Sequence, residues 1–305
     1  MPVPDQPATT PTATAAWLRR RLISSANARG GWGYYEGKGS RIEPTCWALM
    51  SLASGAPAAR PDLSSHARFL AECQRSDGWL VDAPGLPINV AFNAMTAVAW
   101  LAFPELATAE MRRRLVAALT SSKGVQAADT ATSIQNNRLQ GWSWVSDTFS
   151  WVEPTAWGVI ALRKARSAGL GTAAIDSRIT EGERLLVDRV CNRGGWNFGN
   201  ADMFEQALRP YVPTTALGLL AMRESLTEPA VARSLAFLDT SWDEEPSSLA
   251  AGLSAIALRA CGRNVERLNA RLLEHVAATT ESGRLVGLAV AALALSEEGG
   301  NVFGA

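Results

Sequence analysis

Two kinds of apolar pattern alternate along the chain. In the first, charged residues fall on one face at helical spacing: 17–26 (WLRRRLISSA), 66–74, 111–119, 182–191, 231–239 and 265–276. In the second, nearly every position is apolar: 46–53 (CWALMSLA), 90–103, 156–162, 216–222, 248–258 and 285–295. A helix without a polar face must be covered on every side. Strict alternation of the two kinds therefore predicts an all-α fold of about twelve helices, an (α/α)6 toroid with an inner ring wrapped by an outer one. The chain lacks Val/Ile/Thr-rich runs of period two, which disfavours a substantial sheet.

At 305 residues the chain can bury roughly three quarters of its unfolded surface in one domain. The reading is a toroid over 17–298, a disordered leader over 1–16 and a flexible tail over 299–305. Twenty-nine basic and 29 acidic residues cancel, which argues against a nucleic acid partner. The leader lacks the basic start and apolar core of a signal peptide, so a cytoplasmic location is expected. No apolar run is long enough to span a bilayer, and peripheral membrane contact stays open. Cys46, Cys73, Cys191 and Cys261 lie singly in helical segments and read as reduced thiols.

The crossings that lead into inner helices are long and rich in Gly and Trp. If the inner helices run parallel, these crossings gather at one mouth, where function is expected. Three of them align: GGWGYYEGKGSRIEPTCWALMSL (30–52), QGWSWVSDTFSWVEPTAWGVIAL (140–162) and GGWNFGNADMFEQALRPYVPTTALGLLAM (194–222). Trp32 to Glu43 and Trp142 to Glu153 both span eleven residues and end in Glu-Pro-Thr. The Gly-Trp pairs read as structural, with the ring covering helix ends. The aromatics deeper in the loops, such as Tyr34, Tyr35, Trp144, Phe149, Trp151, Phe198 and Tyr211, divide between packing and lining the mouth.

FLAECQRSDGW (69–79) and the P-T-A-W-x-x-x-A-L start of the inner helix resemble the QW-like repeat of squalene cyclases. The likeness extends over most of 17–295 and points to the α/α-toroid superfamily of terpenoid cyclases and protein prenyltransferase β subunits. It departs from the pattern where Gly78 adjoins Trp79, and where Arg29 and Arg193 precede Gly-Gly-Trp. The resemblance implies isoprenoid chemistry, cyclase-like or prenyltransferase-like. Of the D-x-D-D-T-A motif of class II cyclases, Trp151-Val152-Glu153-Pro154-Thr155-Ala156 keeps one acid, Glu153. The Asp-x-Cys and His set for zinc and the DDxxD set for magnesium are missing, Asp188, Cys191 and His275 being a poor match. No metal and no cofactor are expected.

Glu43, Glu153 and Asp147 are the candidate catalytic residues. Pro154 places Glu153 in a first helical turn, where the dipole favours the ionised form. Tyr35, Lys38, Arg41, Trp47, Trp144, Trp151, Trp157, Phe198, Arg209 and Tyr211 are the candidate binding residues, with Arg41, Lys38 and Arg209 able to hold a diphosphate beside helix N-termini. Glu43 and Glu153 are expected to face each other across one accessible cavity. The leading reading is a protein that handles an apolar or isoprenoid small molecule. A second helical domain or partner subunit would complete the site as in the cyclases. Two alternatives stand beside it: a carbohydrate-active (α/α)6 enzyme, with two carboxylates and Trp platforms, and a non-catalytic binding or scaffold protein.

Overall fold

The computed structural model describes residues 10–55, 60–128, 135–203, 206–296 and 302–304. Every apolar and every amphipathic stretch is a helix. In chain order they are α1 (Pro11–Ser24), α2 (Ile42–Ala53), α3 (Ser64–Cys73), α4 (Val90–Ala102), α5 (Ala109–Ser121), α6 (Val152–Ala165), α7 (Ala173–Asp188), α8 (Val212–Met222), α9 (Pro229–Ser241), α10 (Ser248–Ala260), α11 (Glu266–Glu281) and α12 (Leu285–Ala294). The even-numbered helices form the inner ring. Each packs on the next, and α12 closes on α2. The odd-numbered helices wrap them, α1 returning to cover α12. The fold is an all-α (α/α)6 toroid, and the sheet among the described residues is a two-stranded hairpin, β1 (Asp202–Met203) and β2 (Gln206–Ala207). No helix among the described residues is long and apolar enough to cross a membrane.

Two segments at the ends differ from the reading by composition. Pro11 opens α1 and Thr10 caps it, its hydroxyl accepting from the Ala13 amide, so residues 11–16 are helical rather than disordered leader. Thr and Pro here serve as a helix start signal, and α1 is held because Trp17, Leu18 and Leu22 are buried against the ring. Residues 1–9 lie outside the described chain. In the tail, Val302 and Phe303 are each 2% exposed, which is core burial rather than a flexible end. Residues 299–301 and 305 lie outside the described chain.

The Gly-Trp units are built alike. The indole N–H of Trp32 donates to the Leu22 carbonyl at 2.7 Å, that of Trp142 to Leu119 at 2.9 Å and that of Trp196 to Leu186 at 2.7 Å. The three backbone amides donate to Thr45, Thr155 and Thr215, each at 3.0 Å. The Trp thus ties the end of an outer helix to the start of the next inner one. In the second crossing Leu80, not Trp79, takes the equivalent position: its amide donates to Asn93 Oδ1 at 2.7 Å. This accounts for the departure at Gly78-Trp79, since Trp79 is displaced to a half-buried place.

The inner-helix starts are linked around the ring. The first amide of α2 donates to Asp82 Oδ1 at 2.7 Å, that of α4 to the Trp144 carbonyl at 2.9 Å and that of α6 to the Phe198 carbonyl at 2.9 Å. The first amide of α8 donates to Glu245 Oε1 at 2.9 Å, and that of α12 reaches round to the Tyr34 carbonyl at 3.0 Å. Each acceptor lies in the crossing that leads to the next inner helix. Donors that a helix leaves unsatisfied thereby gather the long crossings at one end of the ring.

Candidate functional site

Glu43 and Glu153 each occupy the second position of an inner helix. The adjacent Ile42 and Val152 are buried, and the two carboxylates stand half-buried at the mouth. They lie close enough that the charge of Glu43 raises the pKa of Glu153. Burial is the larger cause, and together the two effects bring Glu153 to about 7 from an ordinary 4.5. Sequence position alone suggested an ionised group at a helix start, but desolvation outweighs the dipole here. A dipole contributes about 0.3–1 kcal/mol at an exposed helix end, whereas a buried carboxylate loses far more hydration.

Tyr34 holds the second carboxylate. Its hydroxyl donates to Glu43 Oε2 at 2.7 Å, and its own pKa is driven upward by burial and then by the negative Glu43. Glu43 is raised by burial and by Asp82, against the stabilising hydrogen bond from Tyr34. Asp82 itself accepts the first amide of α2. Tyr34, Glu43, Asp82 and Glu153 thus form one interacting group at the mouth. Neither Tyr34 nor Asp82 was singled out for chemistry from the sequence. Asp82 lies two residues beyond Leu80, in a crossing whose motif register the displaced Trp79 obscures.

The remaining candidates are divided among different surroundings. Tyr35 is 44% exposed and lines a cavity of about 590 Å3 with Tyr34, Ser247, Leu249, Arg284 and Val286. Trp151 lines a second cavity, of about 230 Å3, with Phe149, Gln135, Asn137, Arg189 and Asn200. Arg209 lines a third, with Arg193, Arg233, Phe237 and Glu244, and its guanidinium lies 5.2 Å over the Tyr211 ring. Tyr211 in turn stacks on Phe198 at 4.9 Å, beside the start of α6. Trp144 is half-buried, edge-on to Phe92 at 6.3 Å. Arg41 is half-buried near Tyr34, while Lys38 is exposed with its carbonyl accepting from Asn27 Nδ2. Asp147 is exposed and sits in a left-handed turn at φ 62°, a conformation an Asp tolerates.

Trp47 and Trp157 lie below the carboxylates and are buried. Both stand four residues, one helical turn, after their Glu, so they share its face of the helix. Their rings meet edge to face at 5.5 Å, and Phe303 packs on them at 6.3 and 6.0 Å. They fill the lumen rather than line an open mouth. Asp188 is taken up by Arg189 and by the Asn136 amide, and among the described residues no three His, Cys, Asp or Glu side chains converge as a metal set.

Neither a family model nor a curated protein matches the chain. Solved structures do resemble it in fold. The type II terpene cyclase MstE from Scytonema, in its apo form, superposes with a TM-score of 0.55 at 17% identity, covering 91% of this chain and 80% of that one. A beta-1,3-1,4-glucanase from Paenibacillus sp. X4 gives 0.59 at 9% identity over 97% and 94%. A GH76 alpha-mannanase from Bacteroides thetaiotaomicron gives 0.51 at 12% over 92% and 82%. The fold that these three share with the chain is the α/α toroid.

Proposed function

We propose that the chain is an acid–base enzyme of the terpenoid-cyclase-like kind, acting at the mouth of its toroid on an isoprenoid small molecule. The feature that carries this reading is the pair Glu43 and Glu153 at the starts of α2 and α6, in which burial and then the charge of Glu43 raise Glu153 to about 7. A carboxyl group near 7 is well placed to give and take a proton at neutral pH. It is too weak an acid to protonate an isolated alkene. The proposed role is proton transfer at an oxygen or at a carbon next to a developing cation, with Glu43, oriented by Tyr34, supplying the negative charge. The ring of Tyr34, whose hydroxyl donates to Glu43, suits such a cation. The type II terpene cyclase MstE, a variant of which has a structure in complex with merosterolic acid A as product, supports an isoprenoid as the substrate class.

The test is turnover of prenyl alcohols and prenyl diphosphates, read by mass spectrometry, for the native chain and for Glu153→Gln and Glu43→Gln. Loss of at least about 100-fold in rate with the fold retained is expected for Glu153→Gln. Native-like turnover in that variant, or no prenyl compound bound or converted by the native chain, overturns the proposal.

One observation favours a carbohydrate reading. The 230 Å3 cavity is lined by Trp151 and Phe149 together with Gln135, Asn137, Asn200 and Arg189. Gln135 Oε1 is buried without a hydrogen-bond partner among the described residues. Rings beside amides are what a sugar needs, and a raised acid beside a second carboxylate serves glycoside hydrolysis. Release of reducing sugar from β-glucan or α-mannan, with no prenyl turnover, would select this reading.

A further inference from the structure

The ring centre is occupied by the chain itself. On α6, Glu153, Trp157 and Lys164 recur at helical spacing down the inner face, and residues 302–304 meet this face from below. Phe303 packs on both Trp47 and Trp157, with Val302 buried beside it. Two cations at the far ends of the inner helices hold the backbone of this segment. Arg223 donates to the Phe303 carbonyl at 2.6 Å, and Lys164 donates to the Gly304 carbonyl. Burial lowers the Lys164 amine to about 8, with the charge of Arg223 adding to the effect.

Two features of this packing point beyond a simple core. Cationic groups are expensive to bury, and here the buried Lys164 amine donates to the Gly304 carbonyl, while the half-buried Arg223, beside Glu224, reaches the Phe303 carbonyl. Trp157, fully buried, also has an indole N–H without an acceptor among the described residues. The chamber therefore presents two cations and an indole donor around an apolar centre. That set matches an apolar molecule with an oxygen-rich head better than it matches a phenylalanine side chain.

We propose that the lumen is a binding chamber for a branched apolar chain with a carbonyl or oxyanion head, and that Val302–Gly304 fills it as a displaceable plug. The head would sit on Lys164 and Arg223, the apolar part between Trp47 and Trp157, one turn below Glu43 and Glu153. The identity of the chain as an isoprenoid rests on the function proposed above, but the existence of the chamber does not. Displacing the plug would connect an apolar chamber to the carboxylates from the side opposite the mouth.

The experiment measures binding of farnesyl monophosphate, farnesol and toluene by calorimetry. It compares the full chain, a chain ending at residue 301 and the full-length Phe303→Ala variant. The shortened chain is expected to bind farnesyl monophosphate at least ten-fold more tightly than the full chain does. The peptide NVFGA added in trans should compete, and Lys164→Gln with Arg223→Gln in the shortened chain should abolish the preference for the phosphate over farnesol. If the shortened chain does not fold, Phe303→Ala decides, because an apolar cavity left by a ring stays dry and takes up small aromatic molecules. It should bind toluene where the full chain does not. A folded shortened chain with unchanged affinity, or a Phe303→Ala variant that binds no toluene, overturns the plug. Turnover is followed on the same samples: tighter binding by the shortened chain without any prenyl turnover overturns the catalytic reading alone, and turnover with unchanged affinity on shortening overturns the chamber alone.

Discussion

The ionisation of Glu153 is a contest between a helix dipole that favours the anion and burial that penalises it. Burial wins, and this has a measurable sign. The folded chain holds a proton on Glu153 up to about 7, whereas the unfolded chain releases it near 4.5. Between those values the folded state binds more protons, so stability falls as pH rises and then levels off above 7. Glu153→Gln keeps the shape and removes the ionisation. At pH 8 it should be more stable than the native chain by up to about 3 kcal/mol, and at pH 4 nearly equal to it. Urea unfolding at the two pH values checks this, and an equal effect at both would contradict the raised pKa. Thr155 offers a complementary case. Its hydroxyl accepts the buried Trp142 amide at 3.0 Å. Thr155→Val should cost about 1–3 kcal/mol by stranding that donor, and Thr155→Ser should cost less.

Among the elements, the inner helices are shaped by the Trp rings that cover them. Gly158 in α6 and Gly218 in α8 stand three residues after their Thr, and an added Cβ would lie 2.5 and 2.6 Å from the Trp142 and Trp196 rings. Propensity alone favours Ala over Gly in a helix by about 1 kcal/mol. Gly158→Ala should nevertheless destabilise by roughly 1–3 kcal/mol, because ring and helix cannot separate without breaking the two Trp142 hydrogen bonds. Thermal unfolding monitored by circular dichroism reads the sign directly. The start of α2 depends on Asp82 from the following crossing. Asp82→Ala should cost on the order of 1 kcal/mol, as loss of a side-chain acceptor at a helix start does.

At the scale of the molecule, closure of α12 on α2 separates this fold from an open array of helix pairs. An open array unfolds by fraying from its ends, whereas a closed ring has no free end among its inner helices. A single cooperative transition is expected, with tryptophan fluorescence and far-ultraviolet circular dichroism coinciding. A Val290→Ala change in α12, where Val290 is fully buried, should shift both probes equally. Two separated transitions would contradict the closed ring as a cooperative unit.

The alternation of all-apolar and amphipathic helices was legible in the sequence, because a helix with no polar face has few ways to be buried and a ring of pairs is one. The equivalent placement of Glu43 and Glu153 at inner-helix starts was legible too, through the equal spacing of Trp32 to Glu43 and Trp142 to Glu153. Helical order over residues 11–16 was not, since the packing of Trp17 and Leu18 overrides a composition that suggests disorder. The ionisation of Glu153 also lay beyond the sequence, because desolvation depends on neighbours from other repeats while position in a helix is local. The same holds for Phe303. Only tertiary structure brings it between Trp47 and Trp157, residues about 250 and 150 positions away in the chain. Local pattern determines which helices form and which faces they bury. What fills the space they enclose is decided by contacts that close only when the ring does.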